Sequence, residues 1–282
     1  MTNNVSAPQA RIPAIDSNYV VADQTMKTLS AITKTKGLKN VLVTGPTGCG
    51  KTDLAQHLAA VNKRPFYIAV VSQAVEPLDM LGAKGVSNGA TFFKESQFVK
   101  AIETDNAVVC LDELNRAPSS ILNLLIPLLD HRGSLFVEEL NREVRVGQGV
   151  IFVATANLGS EFAGTYRLDE AIVSRFPFRF ESNFLDQDDE CRMLENRTGC
   201  SPENARILSK LAADLRSKAE GFGATLTRTV STRQLIATAE LTNAGVSIMD
   251  ALETTILPLY DQEGGANSER SQVSASVSFI VG

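Results

Sequence analysis

The chain has 282 residues, 44% of them hydrophobic and 21% charged, which excludes wholesale disorder and leaves room for a sizeable core. Lys and Arg number 27 against 32 Asp and Glu, a formal net charge of −5, so a generally basic nucleic-acid binder is disfavoured, although a local basic groove is compatible with it. The two histidines exclude a His-rich metal site, and the four cysteines show no paired zinc spacing. No apolar run reaches the ~20 residues that span a bilayer, and a cytoplasmic protein with reduced thiols is expected.

Residues 1–18 read as a flexible arm. Short β-rich runs follow at 41–44, 66–71, 107–111, 150–154 and, more weakly, 176–180. Such runs read as strands buried on both faces, hence a parallel sheet. Helical patterns lie between them. Leu54, Ala55, Leu58 and Ala59 share one apolar face. A second helix is expected over about 119–130, with Pro118 suiting its first turn and Pro127 kinking or shortening it. This alternation predicts a doubly wound α/β domain over 19–183. Two spans, 77–93 and 135–146, carry hairpin chemistry, the first around Asn88-Gly89. Beyond Asn183 the signals are helical. Ser201-Pro202 reads as a cap and first turn ahead of Ile207, Leu208, Leu211, Ala212 and Leu215, and Ser231 and Ser247 read as caps of two more helices. A small all-helical lid is therefore expected over 184–263, with 264–282 left unassigned.

The strongest motif is Gly45-Pro46-Thr47-Gly48-Cys49-Gly50-Lys51-Thr52. It fits G-x-x-x-x-G-K-[ST] between a predicted strand and a predicted helix. Glycines let consecutive backbone N–H groups curl around phosphate oxygens, and the following helix points its positive end at the same anion. Lys51 supplies a point charge for the β- and γ-phosphates, and Thr52 offers a hydroxyl to Mg2+. A second apolar strand ends in Asp112-Glu113. Adjacent acids at the end of a buried strand cost desolvation unless a cation meets them. Asp112 is the expected Mg2+ ligand, through water, and Glu113 the group that polarises the attacking water. The fourth strand delivers Asn157 to the same sheet edge, where it would orient that water. Arg175 is a candidate arginine finger acting on a neighbouring subunit's nucleotide, with Arg167 and Arg116 as rivals for that role or for an interface salt bridge. Arg233 opens a predicted lid helix and is placed to reach back to the phosphates.

The ordered set GPTGCGKT, LDELNRAP, ATAN, YRLDEAIVSRF and STR resembles the MoxR group of AAA+ ATPases. GPTGCGKT and the STR motif are similar to its CbbQ/NorQ/cobaltochelatase-subunit branch. The resemblance spans about residues 20–260. It implies a P-loop core with a five-stranded parallel sheet, a helical lid, and ATP with Mg2+ as ligands. It also implies a homo-oligomeric ring, expected to be hexameric, that remodels a protein client or adaptor, including partners with a von Willebrand factor A domain. The two hairpins resemble inserts that face the ring pore or the partner in that group. Phe92 and Phe93, on the first, are expected to pack rather than to contact a client. The segment after Asn157 lacks the Asn-Pro step of many group members. The alternatives are a nucleic-acid motor or loader on the same fold, disfavoured by the acidic balance, and a non-hydrolysing nucleotide switch, disfavoured by the intact Asp112-Glu113 pair. A GTPase is disfavoured because Asn62-Lys63-Arg64-Pro65 is not the N-K-x-D base-reading motif.

Overall fold

Apolar residues alternate between two covered faces, and that alternation builds a parallel sheet. In the computed structural model, which describes residues 11–87, 89–157, 168–221 and 223–281, α1 (Asp23–Ile32) leads to β1 (Val41–Gly45), α2 (Lys51–Val61) and β2 (Phe66–Val70). A short α3 (Pro77–Leu81), the hairpin of β3 (Gly82–Ser87) and β4 (Ala90–Glu95), and α4 (Gln97–Ile102) precede β5 (Val108–Asp112). Next come α5 (Ser119–Leu129), a hairpin of β6 (Ser134–Val137) and β7 (Arg142–Arg145), β8 (Ile151–Asn157), α6 (Glu170–Val173) and β9 (Phe178–Glu181). The sheet order is β2-β5-β8-β1-β9, with every neighbouring pair parallel.

Val41, Val43, Val108, Cys110, Ile151 and Val153 face one way and pack with Leu54, Ala55 and Leu58 of α2. Leu42, Val109, Leu111, Phe152 and Ala154 face the other way and pack with Phe98 of α4 and with Ile121 and Leu125 of α5. Period-two alternation with both faces buried is what makes these strands read as continuous apolar runs. The expectation of burial on both faces holds for the central strands but not for β2, where Ile68 and Val70 are exposed. It is an edge strand, and part of its open side is taken by Arg11, whose backbone pairs with Phe66. The register sets Gly45 beside Asn157 and Val70 beside Asp112, so the C-terminal ends share one rim.

Three local expectations change. Pro118 stands at the N-cap of α5 with extended backbone rather than inside the first turn. Pro127 lies within the last turn of α5, which continues to Leu129 because Ile121, Leu125, Leu128 and Leu129 anchor its buried face. The span 77–93 is not all hairpin: Pro77 at the first helical position and a Glu76/Asp79 capping box start α3 before β3 begins. Phe92 and Phe93 part company. Phe93 packs against the core, whereas Phe92 is half exposed with its ring over Gly85. Asn88 lies outside the described residues.

The second half is helical: α7 (Gln187–Thr198), α8 (Pro202–Ala219), α9 (Thr232–Asn243), α10 (Ile248–Thr255) and α11 (Glu269–Val281). Ser201, Ser231 and Ser247 are the N-caps of α8, α9 and α10. Leu208, Leu211, Ala212 and Leu215 meet Leu235, Leu252 and Val273 in a separate core. Helix α11 is formed by the tail whose sequence carried no assignment, and it seats Val273 and Val277 in that core. Among the described residues no helix is long and apolar enough to cross a membrane.

Candidate functional site

The turn from β1 into α2 is shaped by what glycine allows. Gly48 has φ +76°, and a Cβ there would lie 2.6 Å from Cβ of Ser231, the cap of α9. A Cβ at Gly45 would lie 1.9 Å from the carbonyl oxygen of Ser182. The loop is thus pressed from two sides, and only a bare backbone fits. Lys51, on the first turn of α2, is buried. Its Nζ donates to the carbonyls of Gly45 (3.0 Å) and Pro46 (2.6 Å). Burial lowers the pKa of this ammonium. Thr47 Oγ1 is buried in the same loop with no hydrogen-bond partner among the described residues.

The acidic pair is wired to the loop by threonines. Thr52 Oγ1 and Thr155 Oγ1 both donate to Asp112 Oδ1 at 2.7 Å. The backbone N–H of Glu113 donates to Thr155 Oγ1 at 2.9 Å. Glu113 itself is left-handed, with φ 58° and ψ 41°, a conformation that non-glycine residues hold chiefly where the surroundings enforce it. Arg116 Nε lies 3.3 Å from Glu113 Oε2, an ion pair at the rim. Asn115 Nδ2 donates to the carbonyl of Asn157 (3.0 Å), and Asn115 Oδ1 accepts from the N–H of Asn157 (3.4 Å). Asn157 is buried at the end of β8.

Many of these groups line one cleft of about 250 Å³. Thr47 to Asp53, Asp112, Glu113, Thr155 and Asn157 form its polar end, and Thr232 and Arg233 of α9 close over it. Val20, Leu185, Met193 and Ile236 form an apolar end. A polar, cation-bearing end beside an apolar end suits a phosphate chain joined to a flat base. Thr52 and Asp112 offer only hard oxygens, the donor type that Mg2+ takes. Among the described residues no group of three or more His, Cys, Asp or Glu is arranged for a metal. A cation here would draw its remaining ligands from water and phosphate, as Mg2+ does at nucleotide sites.

Gly45 and Pro46 meet the site through the carbonyls that hold Lys51. Arg233 lines the cleft and makes no hydrogen bond or ion pair among the described residues; its charge is felt at Lys51. Arg175 does not line this cleft. It follows α6, donates from Nη1 to the carbonyl of Ala171, and has a buried Nε that finds no partner among the described residues. Arg116 is engaged with Glu113, and Arg167 lies outside the described residues, as does the departure after Asn157.

Several residues escaped sequence reasoning. Thr155 and Asn115 sit inside quoted motifs, but their partners lie 42 or more positions away. Asn18, Tyr19 and Val20, from the arm and just beyond it, line the cleft. The Tyr19 hydroxyl donates to the carbonyl of Gly50 (3.3 Å), and its ring stacks at a tilt on His57. Burial pushes this hydroxyl's pKa up. Arg197 lines the apolar end and faces Asp16 at 3.9 Å.

Residues 40–176 match the AAA domain of the dynein-related subfamily, and residues 190–268 match the CbbQ/NirQ/NorQ C-terminal family. BssE of Thauera aromatica is 32% identical over 259 residues, spanning 91% of this chain and 88% of that protein. NorQ of Paracoccus denitrificans is 29% identical over 222 residues, spanning 78% of this chain and 80% of its own length. The denitrification regulatory protein NirQ of Pseudomonas aeruginosa is 27% identical over 223 residues, 78% of this chain and 83% of that protein. In fold, the chain is similar to the Thermotoga maritima RuvB Holliday junction branch migration motor, with a TM-score of 0.55 and 16% identity over 90% of this chain and 74% of RuvB. That likeness concerns architecture alone.

Proposed function

The chain belongs to the MoxR-type CbbQ/NorQ family of AAA+ ATPases, and from that premise we propose that it binds and hydrolyses ATP with Mg2+. We further propose that it does so as a homo-oligomeric, hexameric ring and uses the cycle to remodel or activate a protein partner. The carrying observation is the convergence of Lys51, Thr52, Asp112, Glu113, Asn157 and Arg233, from both halves of the chain, on one cleft.

The backbone of 45–50 and Lys51 hold the phosphates. In the structure the Lys51 ammonium donates to loop carbonyls, so phosphate binding exchanges those bonds for charge-assisted ones. Thr52 and, through water, Asp112 would hold Mg2+, which when bound would supply charge neutralisation for the phosphate oxygens. Glu113 accepts a proton from the attacking water, and Asn157 orients that water. Arg233 ties the terminal phosphate to α9, so loss of that phosphate releases the lid. Arg175 of an adjacent subunit stabilises charge in the transition state. Catalysis is positioning and charge stabilisation without a covalent intermediate. BssE carries a provisional chaperone designation and NirQ a regulatory one, which supports a protein client, with von Willebrand factor A proteins as the first partners to try.

Glu113→Gln tests the chemistry. It is expected to bind ATP and to hydrolyse it at least ~100-fold more slowly, the low end for loss of a positioned acid–base group. Single-turnover phosphate release measures this. Near-wild-type turnover removes Glu113 from the mechanism.

A further inference from the structure

We infer that the buried Glu190–Arg216 pair is a positioning device for Arg233, and through it sets the preference of the cleft for a nucleoside triphosphate over a diphosphate. The inference rests on the proposed ATP-binding role of the cleft.

Glu190 on α7 and Arg216 on α8 are 1% and 7% exposed. Their side chains meet fork to fork, with Nη1 donating to Oε2 and Nη2 to Oε1, each at 2.9 Å. The remaining donors and acceptors are not spent within α7 and α8. Arg216 Nε donates to the carbonyl of Val230 at 3.0 Å, the residue before the cap of α9. Thr232 Oγ1 approaches Glu190 Oε1 at 3.5 Å, and Thr232 immediately precedes Arg233. The pair therefore holds the chain on both sides of Ser231. Phe184 closes the outer face of the guanidinium, 3.8 Å from its ring centroid. From Ser231 onward the geometry is fixed: a capping box with Gln234 sets the first turn of α9, and Ser231 lies against Gly48 of the loop. Arg233 follows on that first turn, facing the cleft.

Stability alone does not explain such a pair. A buried ion pair is often no more stable than apolar residues of the same volume, and the surrounding core offers Leu208, Leu211 and Leu215 as a pattern for such packing. What the pair adds is direction. A planar fork fixes orientation in a way that a point charge does not, and the two spare contacts both go to residues flanking the cap. A charge-assisted hydrogen bond to phosphate holds only over a narrow range of distance and angle, so a misplaced guanidinium loses it.

Titration of Glu190→Gln, Arg233→Ala and the double variant with fluorescent ATP and ADP analogues tests this. Arg233→Ala is expected to lower the ATP-over-ADP preference about tenfold, and Glu190→Gln to do nearly the same. The double variant is expected to be no worse than Arg233→Ala, because the pair acts through that residue. A merely structural role would weaken both nucleotides alike and would multiply with Arg233→Ala; that result overturns the inference. A wild-type preference in Glu190→Gln beside a lost one in Arg233→Ala also overturns it, while leaving the proposed role of Arg233 intact. A wild-type preference in Arg233→Ala itself overturns both. If Glu190→Gln does not fold, Arg216→Lys, which keeps a cation but loses the fork, is read against the same outcomes.

Discussion

A methyl group at position 48 would meet two obstacles at once. The backbone there is left-handed, φ +76°, and the new Cβ would stand 2.6 Å from Cβ of Ser231. The first costs a non-glycine residue about 1–2 kcal/mol. The second cannot relax by swinging a long side chain aside, because Ser231 is short and held by the α9 capping box. Gly48→Ala is therefore expected to push α9 away from the loop and to weaken ATP binding at least ~10-fold, the equivalent of about 1.4 kcal/mol. A nucleotide titration beside a thermal melt checks it, with unchanged affinity counting against contact between α9 and the loop. At this scale the sequence was most legible where chemistry is local. Glycine spacing, Lys51-Thr52 and Asp112-Glu113 are read within eight residues or fewer. Thr155 was not legible, because its meaning is a link from β8 to Asp112 and Glu113 at the end of the neighbouring strand β5. Nothing in the ATAN motif says which side of β8 meets β5.

Elements carry the same division between local and long-range information. The buried runs, the serine caps and the two hairpins follow from period-two alternation, short-range capping and turn residues. The edge position of β2 and helix α11 do not, since each depends on what lies beside it; α3 has local signals of its own, Pro77 and the Glu76/Asp79 box, which the hairpin pattern of the same span overlay. Helix α11 has a sparse apolar pattern, with Val273 and Val277 meeting a core that α8, α9 and α10 have already built. Asn40, just ahead of β1, shows how elements are pinned at the far side of the sheet from the cleft. It is 4% exposed, and its Nδ2 donates to the carbonyls of Leu129, at the end of α5 (2.8 Å), and Arg175, between α6 and β9 (2.9 Å). Asn40→Ala strands both carbonyls and is expected to cost about 2 kcal/mol of stability. It also frees the main chain that carries the proposed finger. The expected result is ATP affinity near wild type with hydrolysis reduced several-fold, measured at a temperature well below the lowered melting point. Equal loss of affinity and turnover would mean that Asn40 supports the whole core rather than the Arg175 segment.

On the scale of the whole molecule, the cleft raises a question of completeness. Among the described residues, one chain lines it with Lys51, Arg197 and Arg233 as cations, and Lys51 and Arg233 flank the loop from core and lid. Arg175 does not line it: it follows α6, with Nη1 tied to Ala171 of that helix and, among the described residues, a buried Nε without a partner. A cation so placed fits a head-to-tail contact, in which one surface meets a different surface of the next copy and closes a ring. The arithmetic of mixing makes this testable. Lys51→Ala removes the proposed phosphate grip and Arg175→Ala the proposed finger, so each variant alone is expected to be inactive. In an equal random mixture, an active interface needs its loop from an Arg175→Ala subunit and its finger from a Lys51→Ala neighbour. Each condition is met half the time, so recovery to about a quarter of wild-type activity is expected if interfaces act independently. Recovery must also depend on total concentration, because dilution dissolves the interface. Native mass measurement verifies that mixed assemblies form. Inactivity in verified mixed rings places Lys51 and Arg175 in service of the same subunit's site, and full activity of dilute single chains removes the neighbour from the mechanism; either result ends the proposed role of Arg175 as a finger acting across subunits.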